Sequence, residues 1–185
     1  SDVMPFFTML RRHKRESQSQ TQDSVNTTWP WDTTIVGVIT NSDSRIPSIL
    51  SSFALNVSAR RYKAPTTTAA IMKAEEADIN FVMLSYDVSA EKPDAAIFKA
   101  AEEMLGDDVQ DFEKLHVGDD LEKDYLGAED AGWGRLLLQR RPVESGLTSE
   151  SGKGIKQVQI EDKQGITRTV DAVDSLLDLG GCRPK

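Results

Sequence analysis

The sequence predicts an α/β fold built on a mostly parallel sheet. Short apolar runs rich in β-branched residues alternate with longer stretches of helical character, the pattern of strands joined by helical crossovers. Polar clusters follow several of those runs directly. In open α/β sheets the crevice beyond the carboxyl ends of the strands is where ligands bind, and Thr40, Lys92 and Asp119 all lie at or just beyond such ends.

Taken in order, Met4 to Leu10 is apolar and runs into Arg11-Arg12-His13-Lys14-Arg15. Pro5 suits a first helical turn, so a short helix is expected, with the basic run as its solvated end rather than a nucleic-acid or membrane patch. Glu16 to Thr28 is polar without hydrophobic periodicity and reads as a mobile surface loop, extending to residue 31 as a segment. Trp29 and Trp31 close it and are expected to pack over a core edge. Ile35-Val36-Gly37-Val38-Ile39 predicts a strand buried on both faces, followed by Thr40-Asn41-Ser42-Asp43 and a helix-like stretch from Ser44 to Leu55. Arg60 to Pro65 reads as a loop and Thr68 to Asp78 as a helix with Ala69, Ala70, Ile71, Met72 and Ala77 available for packing. Phe81 to Leu84 is a second buried strand.

Asp94 is a good N-cap for a helix to Leu105 whose apolar face is Ile97, Phe98, Ala101 and Leu105. Leu115-His116-Val117 predicts a third strand closed by Gly118-Asp119-Asp120, Asp124 to Ala131 a short helix ended by Gly132, and Arg135 to Leu138 a fourth strand. Residues 1–140 thus read as one core. Residues 141–185 read as a flexible Gly- and Ser-rich segment, an edge strand over Lys156 to Ile160 and a terminal amphipathic helix over Val170 to Leu179.

Composition narrows the function classes. The chain has 185 residues, 38% of them hydrophobic, enough for a single core. Its 22 basic and 30 acidic residues give a net charge of −8, which argues against a nucleic-acid binder. No apolar run approaches a membrane span. Cys182 is the only cysteine, so no internal disulfide can form, and a reducing intracellular compartment (cytoplasm, nucleus or mitochondrion) is the expectation for a soluble protein. The start, Ser1-Asp2-Val3-Met4-Pro5, lacks both a signal-peptide stretch and an initiator Met, as expected of a trimmed, processed or partial chain. Oligomeric state and substrate identity are not legible.

Three polar clusters bear on chemistry. In the first, an apolar strand runs into Gly118-Asp119, and Asp124 follows five residues after Asp119. Two hard oxygen ligands converging from a turn and a helix start are what magnesium takes, with water and a substrate phosphate completing its shell; the plain alternative is a helix start enriched in acidic residues. In the second, Thr40-Asn41 offers a hydroxyl and backbone N–H groups to phosphate oxygens, although many strands end in such turns. In the third, Glu91-Lys92-Pro93-Asp94, the proline restricts Lys92 to extended backbone just ahead of a helix, where a fixed cation would balance a phosphate and the acidic pair.

In this order and spacing the three clusters, with Gly127-Ala128 to Ala131-Gly132-Trp133, resemble the haloacid dehalogenase-like hydrolase superfamily. The nearest resemblance is to the haloacid dehalogenase-like hydrolase domain-containing protein 3 group, over roughly Asp2 to Leu138. Ile39 to Arg45 looks like that family's second motif, Glu91 to Phe98 like its third, and His116 to Asp119 with Asp124 to Ala128 like its fourth. The resemblance implies a three-layer Rossmann-like core and magnesium-dependent hydrolysis of a small phosphate monoester through an aspartyl-phosphate. It implies that Thr40 and the Asn41 backbone N–H bind the phosphoryl group, that Lys92 neutralises the nucleophile and the phosphate, and that Asp119 and Asp124 hold Mg2+, with Asp120 the adjacent alternative. Charge and hydropathy, as above, leave no nucleic-acid or membrane partner expected.

The family's first motif, Asp-x-Asp-x-Thr or -Ser after an apolar strand, is not found. Asp32 precedes its strand, and Asp87 follows one but has no second aspartate. No cap is found either: the match begins near Asp2, where the family's chain returns from cap to core. The expectation is therefore a partial hydrolase core, inactive alone, with two strands lacking a neighbour. A non-catalytic binding or scaffold member of the same fold is the alternative. A doubly wound nucleotide-binding domain ranks below both, because no Gly-rich fingerprint follows the first strand.

Overall fold

The computed structural model describes residues 2–18, 29–63, 76–106, 112–140 and 154–182. The helix expected over residues 68–78 and the flexible segment from residue 142 fall mostly outside these, as do residues 19–28 of the expected loop. The chain forms two compact units. The first comprises residues 1–33, 115–125 and 134–185, and the second residues 34–114 and 126–133.

The second unit holds a two-stranded parallel sheet. Strand β1 (Gly37–Thr40) pairs with β2 (Phe81–Leu84) in the register Gly37 with Phe81 through Thr40 with Leu84. Gly37 is required there: a Cβ on it would lie 2.0 Å from the Phe81 ring. Helix α1 (Val3–Gln18) belongs to the first unit, whereas α2 (Ile46–Ser52), the single turn α3 (Ser85–Val88), α4 (Ala95–Leu105) and α5 (Gly127–Asp130) belong to the second. Asp94 caps α4, its Oδ1 accepting the Ala96 N–H at 2.9 Å. Ile97 and Phe98 of α4, together with Met83 of β2, are fully buried in the unit's apolar core, and the Trp133 ring meets Phe98 edge-on at 5.5 Å. Glu102 of α4 accepts the Trp133 Nε1–H and the Lys114 ammonium, each at 2.7 Å.

The first unit holds a four-stranded sheet in the order β3-β4-β6-β5: β3 (Leu115–Gly118), β4 (Gly134–Leu138), β5 (Lys156–Glu161) and β6 (Thr167–Val173). The β3–β4 and β4–β6 pairs are parallel, and β5–β6 is an antiparallel hairpin. Trp29 is buried, with its ring 5.8 Å from Phe6 of α1 and 4.8 Å from Trp31, so the tryptophans do cover a core edge. The fold class is α/β with mostly parallel strands, as the sequence predicts.

Four expectations are corrected. The first helix does not stop at the basic run but continues to Gln18, with Arg12 bonded to Glu16 one turn on at 2.7 Å. The Ile35–Ile39 run is not buried on both faces: only Ile39 is buried, Ile35 is 36% exposed, and among the described residues β1 pairs on one side alone. The helix expected over Asp124 to Ala131 begins instead as a π-helical stretch, Leu121–Leu126, continued by α5. The terminal helix expected over Val170 to Leu179 is a strand followed by a short 3₁₀ segment, Leu176–Gly181. Val170 and Ala172 alternate inward with the sheet period, and pairing with both β4 and β5 outweighs the helical spacing of the apolar residues.

Candidate functional site

In the second unit β1 ends at Thr40, and Asn41 follows at the strand's carboxyl end. The Asn41 side chain is a two-sided clamp on Lys92. Its Oδ1 accepts the Lys92 backbone N–H at 2.7 Å, and its Nδ2 donates to the Lys92 carbonyl at 2.9 Å. An amide carries one acceptor and two donors on a planar fork, so it can satisfy both backbone groups of one residue at once. The Lys92 ammonium in turn donates to the Ile39 carbonyl at 2.8 Å. Thus β1 and the segment before α4, far apart in sequence, are tied together, and the lysine charge is fixed at the end of β1 beside Thr40.

Pro93, which follows Lys92 through a cis peptide bond, packs on Gly127. A Cβ at position 127 would lie 2.9 Å from the Pro93 Cα, so the first residue of α5 must be glycine for this approach. The resemblance to the second and third motifs places Thr40, Asn41 and Lys92 near one another. The structure brings all three together in one unit, but it gives the Asn41 side chain a task that sequence reading missed. The reciprocal clamp has no short-range sequence signal, because the two residues meet only through the fold.

In the first unit β3 ends at Gly118, and the three aspartates that follow have different surroundings. Asp119 is exposed. Asp120 caps the π-helical stretch, its Oδ1 accepting the N–H groups of Glu122 at 3.0 Å and Lys123 at 2.9 Å. Asp124 is buried, 5% exposed. Its Oδ2 accepts the Asp120 N–H at 3.0 Å, and its Oδ1 lies 3.1 Å from Nε2 of the buried His116. Gly118 makes room for it, since a Cβ there would fall 2.2 Å from the Asp124 Cγ.

Asp124 thus closes the strand-to-helix turn on itself rather than reaching outward. No group of three or more His, Cys, Asp or Glu side chains that could hold a metal ion occurs among the described residues. Magnesium demands near-octahedral oxygen coordination. Here Asp124 is engaged by His116 and the Asp120 N–H, and Asp120 is engaged as a cap. These residues alone do not fit a magnesium site.

No helix among the described residues is long and apolar enough to cross a membrane. No protein-family model matches the chain. The Rhythmically expressed gene 2 protein of Drosophila melanogaster is 34% identical over 107 residues, covering 57% of this chain and 34% of that protein. A protein of Schizosaccharomyces pombe described as an uncharacterized hydrolase is 32% identical over 103 residues, covering 54% of this chain and 36% of its own length. The chain therefore spans about a third of the length of the curated relatives it matches. A solved HAD phosphatase from Thermococcus onnurineus superposes with a TM-score of 0.53 at 19% identity, covering 97% of this chain and 55% of the phosphatase. The chain has the α/β fold of a haloacid dehalogenase-like core.

Proposed function

We propose that these residues form part of a phosphomonoesterase of the haloacid dehalogenase-like superfamily, nearest to the domain-containing protein 3 group, in which the Thr40–Asn41–Lys92 cluster receives the phosphoryl group of a small substrate. The observation that carries this reading is the Asn41 clamp. A lysine fixed by three hydrogen bonds at a strand's carboxyl end is a preorganised cation, which is what a phosphoryl oxygen needs from its binding site. Thr40 would add a hydroxyl donor and the Asn41 backbone an N–H. The nucleophilic aspartate of such a reaction belongs to an Asp-x-Asp motif that none of these residues supplies, so it would come from a segment outside them.

Magnesium is the cofactor that accompanies this chemistry. Asp119 is the carboxylate here suited to serve as one of its ligands, and the rest of the shell would come from elsewhere. Asp124 and His116 would act by shaping the turn that carries Asp119. The engagement of Asp124 and Asp120 within that turn favours a second reading, a non-catalytic member of the same fold, and a complete transcript encoding Asp-x-Asp-x-Thr would dismiss it.

The 185-residue chain is expected to show no magnesium-dependent turnover of p-nitrophenyl phosphate, yet to bind inorganic phosphate, with binding lost in Lys92→Ala and weakened about tenfold in Asn41→Ala. Phosphate binding indifferent to Lys92 would remove the cradle. Turnover abolished by Lys92→Ala would overturn the claim of inactivity.

A further inference from the structure

Among the described residues, the β5–β6 hairpin leaves one edge of the first unit's sheet open. β5 is last in the order β3-β4-β6-β5, and its register with β6 runs unbroken from Lys156 with Ala172 to Glu161 with Thr167. One step beyond, the Asp162 N–H donates to the Ile166 carbonyl at 3.0 Å. Along an antiparallel strand the backbone groups of successive residues turn to opposite sides. The even-numbered residues of β5 therefore bond to β6, and Gln157, Gln159 and Glu161 turn their N–H and carbonyl groups to the open edge.

Edges of this kind are usually blunted by proline, by a bulge or by like charge. Residues 155–164 contain neither proline nor glycine, and the ladder of β5 with β6 has no bulge. Their four charged residues, Lys156, Glu161, Asp162 and Lys163, cancel, although the whole chain carries −8. Two copies that repel each other overall therefore meet no net charge along this edge.

We infer that β5 pairs antiparallel with β5 of a second copy of this chain about a two-fold axis through Gln159. Such an axis, perpendicular to the sheet, keeps each side chain on its own face, so even residues meet even and odd meet odd. Centred on Gln159, the pairing sets Gln159 against its copy, Gln157 against Glu161 and Val158 against Ile160, with Lys156 and Asp162 opposed at the ends. The outward backbone groups of residues 157, 159 and 161 then satisfy one another through about six hydrogen bonds. Each side-chain pair is complementary: amide with amide, amide with carboxylate, aliphatic with aliphatic, cation with anion. Lys156 and Asp162 keep their own partners, Asp174 and Arg168, so the ends attract without a new contact. An axis one residue away, through Val158, would instead oppose Lys156 to Ile160 and Ile155 to Glu161. The strand thus matches itself in one register, which favours a second copy over an unrelated strand. A two-fold contact occupies the edge of both copies and closes at a dimer; growth beyond two copies needs other edges.

The test is disulfide trapping in the full 185-residue chain. Residues of a hydrogen-bonded antiparallel pair lie about 5.5 Å apart at Cα, within disulfide reach. Under oxidised glutathione, Gln159→Cys is expected to form a linked dimer. Gln157→Cys and Glu161→Cys should each stay monomeric, since each lies about 13 Å along the strand from its own copy, but their mixture should give the mixed dimer. All three positions are exposed, so the substitutions should leave the fold intact. Cys182 is buried, and the unaltered chain should not cross-link. In sedimentation, Gln159→Lys places two ammonium groups on the axis and should raise the dimer dissociation constant about fivefold. Gln157→Lys, facing Glu161, should not raise it.

A Gln159→Cys chain that stays monomeric, or that links no faster than Gln157→Cys, would overturn the inference. So would a mixture of the Gln157→Cys and Glu161→Cys chains that links no better than either alone, or a dissociation constant indifferent to Gln159→Lys.

Discussion

At the scale of single residues, the turn after β3 shows how a glycine and a buried acid depend on each other. Asp124 folds back so that its carboxylate holds the Asp120 N–H and meets His116, and it occupies the space where any side chain at position 118 would begin. Gly118→Ala is therefore expected to displace Asp124 and leave a buried carboxylate without its partners, at a cost of about 3 kcal/mol. Urea denaturation of the two proteins measures it, and a cost under about 1 kcal/mol would mean that the turn relaxes freely. The sequence groups Gly118, Asp119 and Asp124, with Asp124 expected as a metal ligand, and the structure adds its hydrogen bonds within the turn. The pull of His116 could not be seen because its ring meets the carboxylate only after β3 and the π-helical stretch have formed. Lys92 and Thr40 were legible, since a strand end and an X-Pro step fix them locally, whereas Asn41's grip on Lys92 spans fifty-one positions.

At the scale of elements, a single acid just ahead of α1 binds two other parts of the first unit. The Asp2 carboxylate accepts the Leu176 N–H at 2.7 Å and the Ser175 hydroxyl at 3.0 Å, both at the start of the 3₁₀ segment, and Arg140 beyond β4 at 3.0 Å. Partial burial pushes its carboxyl upward, but these hydrogen bonds and the Arg140 charge outweigh that and hold it below the ordinary aspartate range. A carboxyl depressed in the folded state stabilises fully above its unfolded value of about 3.9, and that contribution fades as pH falls through the lower folded value. Asp2→Ala is expected to lose about 2 kcal/mol at neutral pH, with the gap to the unaltered protein narrowing steadily below about pH 4. Urea midpoints across that range decide it, and a gap constant with pH would show that Asp2 acts by packing.

The same region holds the largest misreading of an element. The Val170 to Leu179 stretch has helically spaced apolar residues, yet Thr167 to Val173 is mostly β-branched and alternates. The Asp162–Gly165 turn, with Gly165 at φ +79°, starts a hairpin just before it. That turn signal stood in the sequence and could have decided the matter. The boundaries of β2, β3, β4 and α4 were legible because each is a bounded apolar run or a capped one.

At the scale of the molecule, the described strands form two sheets. Among the described residues, the second unit has β1 and β2, and the first has β3 at the end of its four strands. Among the described residues, β1 and β3 each pair on one side, although both carry the apolar sequence of interior strands. Their sides show the mismatch: Ile35 is 36% exposed beside β1 and Leu115 39% exposed in β3. An isolated two-stranded parallel pair is weak, so the second unit leans on the packing of Ile97, Phe98 and Met83. Open apolar edges recruit further strands. The 185-residue chain alone is therefore expected to melt with a low midpoint and to associate as its concentration rises, read by calorimetry and sedimentation. Lysine at the exposed edge positions, as Ile35→Lys with Leu115→Lys, should suppress the association while changing stability by no more than about 1 kcal/mol. A cooperative melt above about 65 °C in a chain that stays monodisperse would show that these edges are satisfied within the chain. It would also mean that the nucleophile does not arrive on a strand added at these edges.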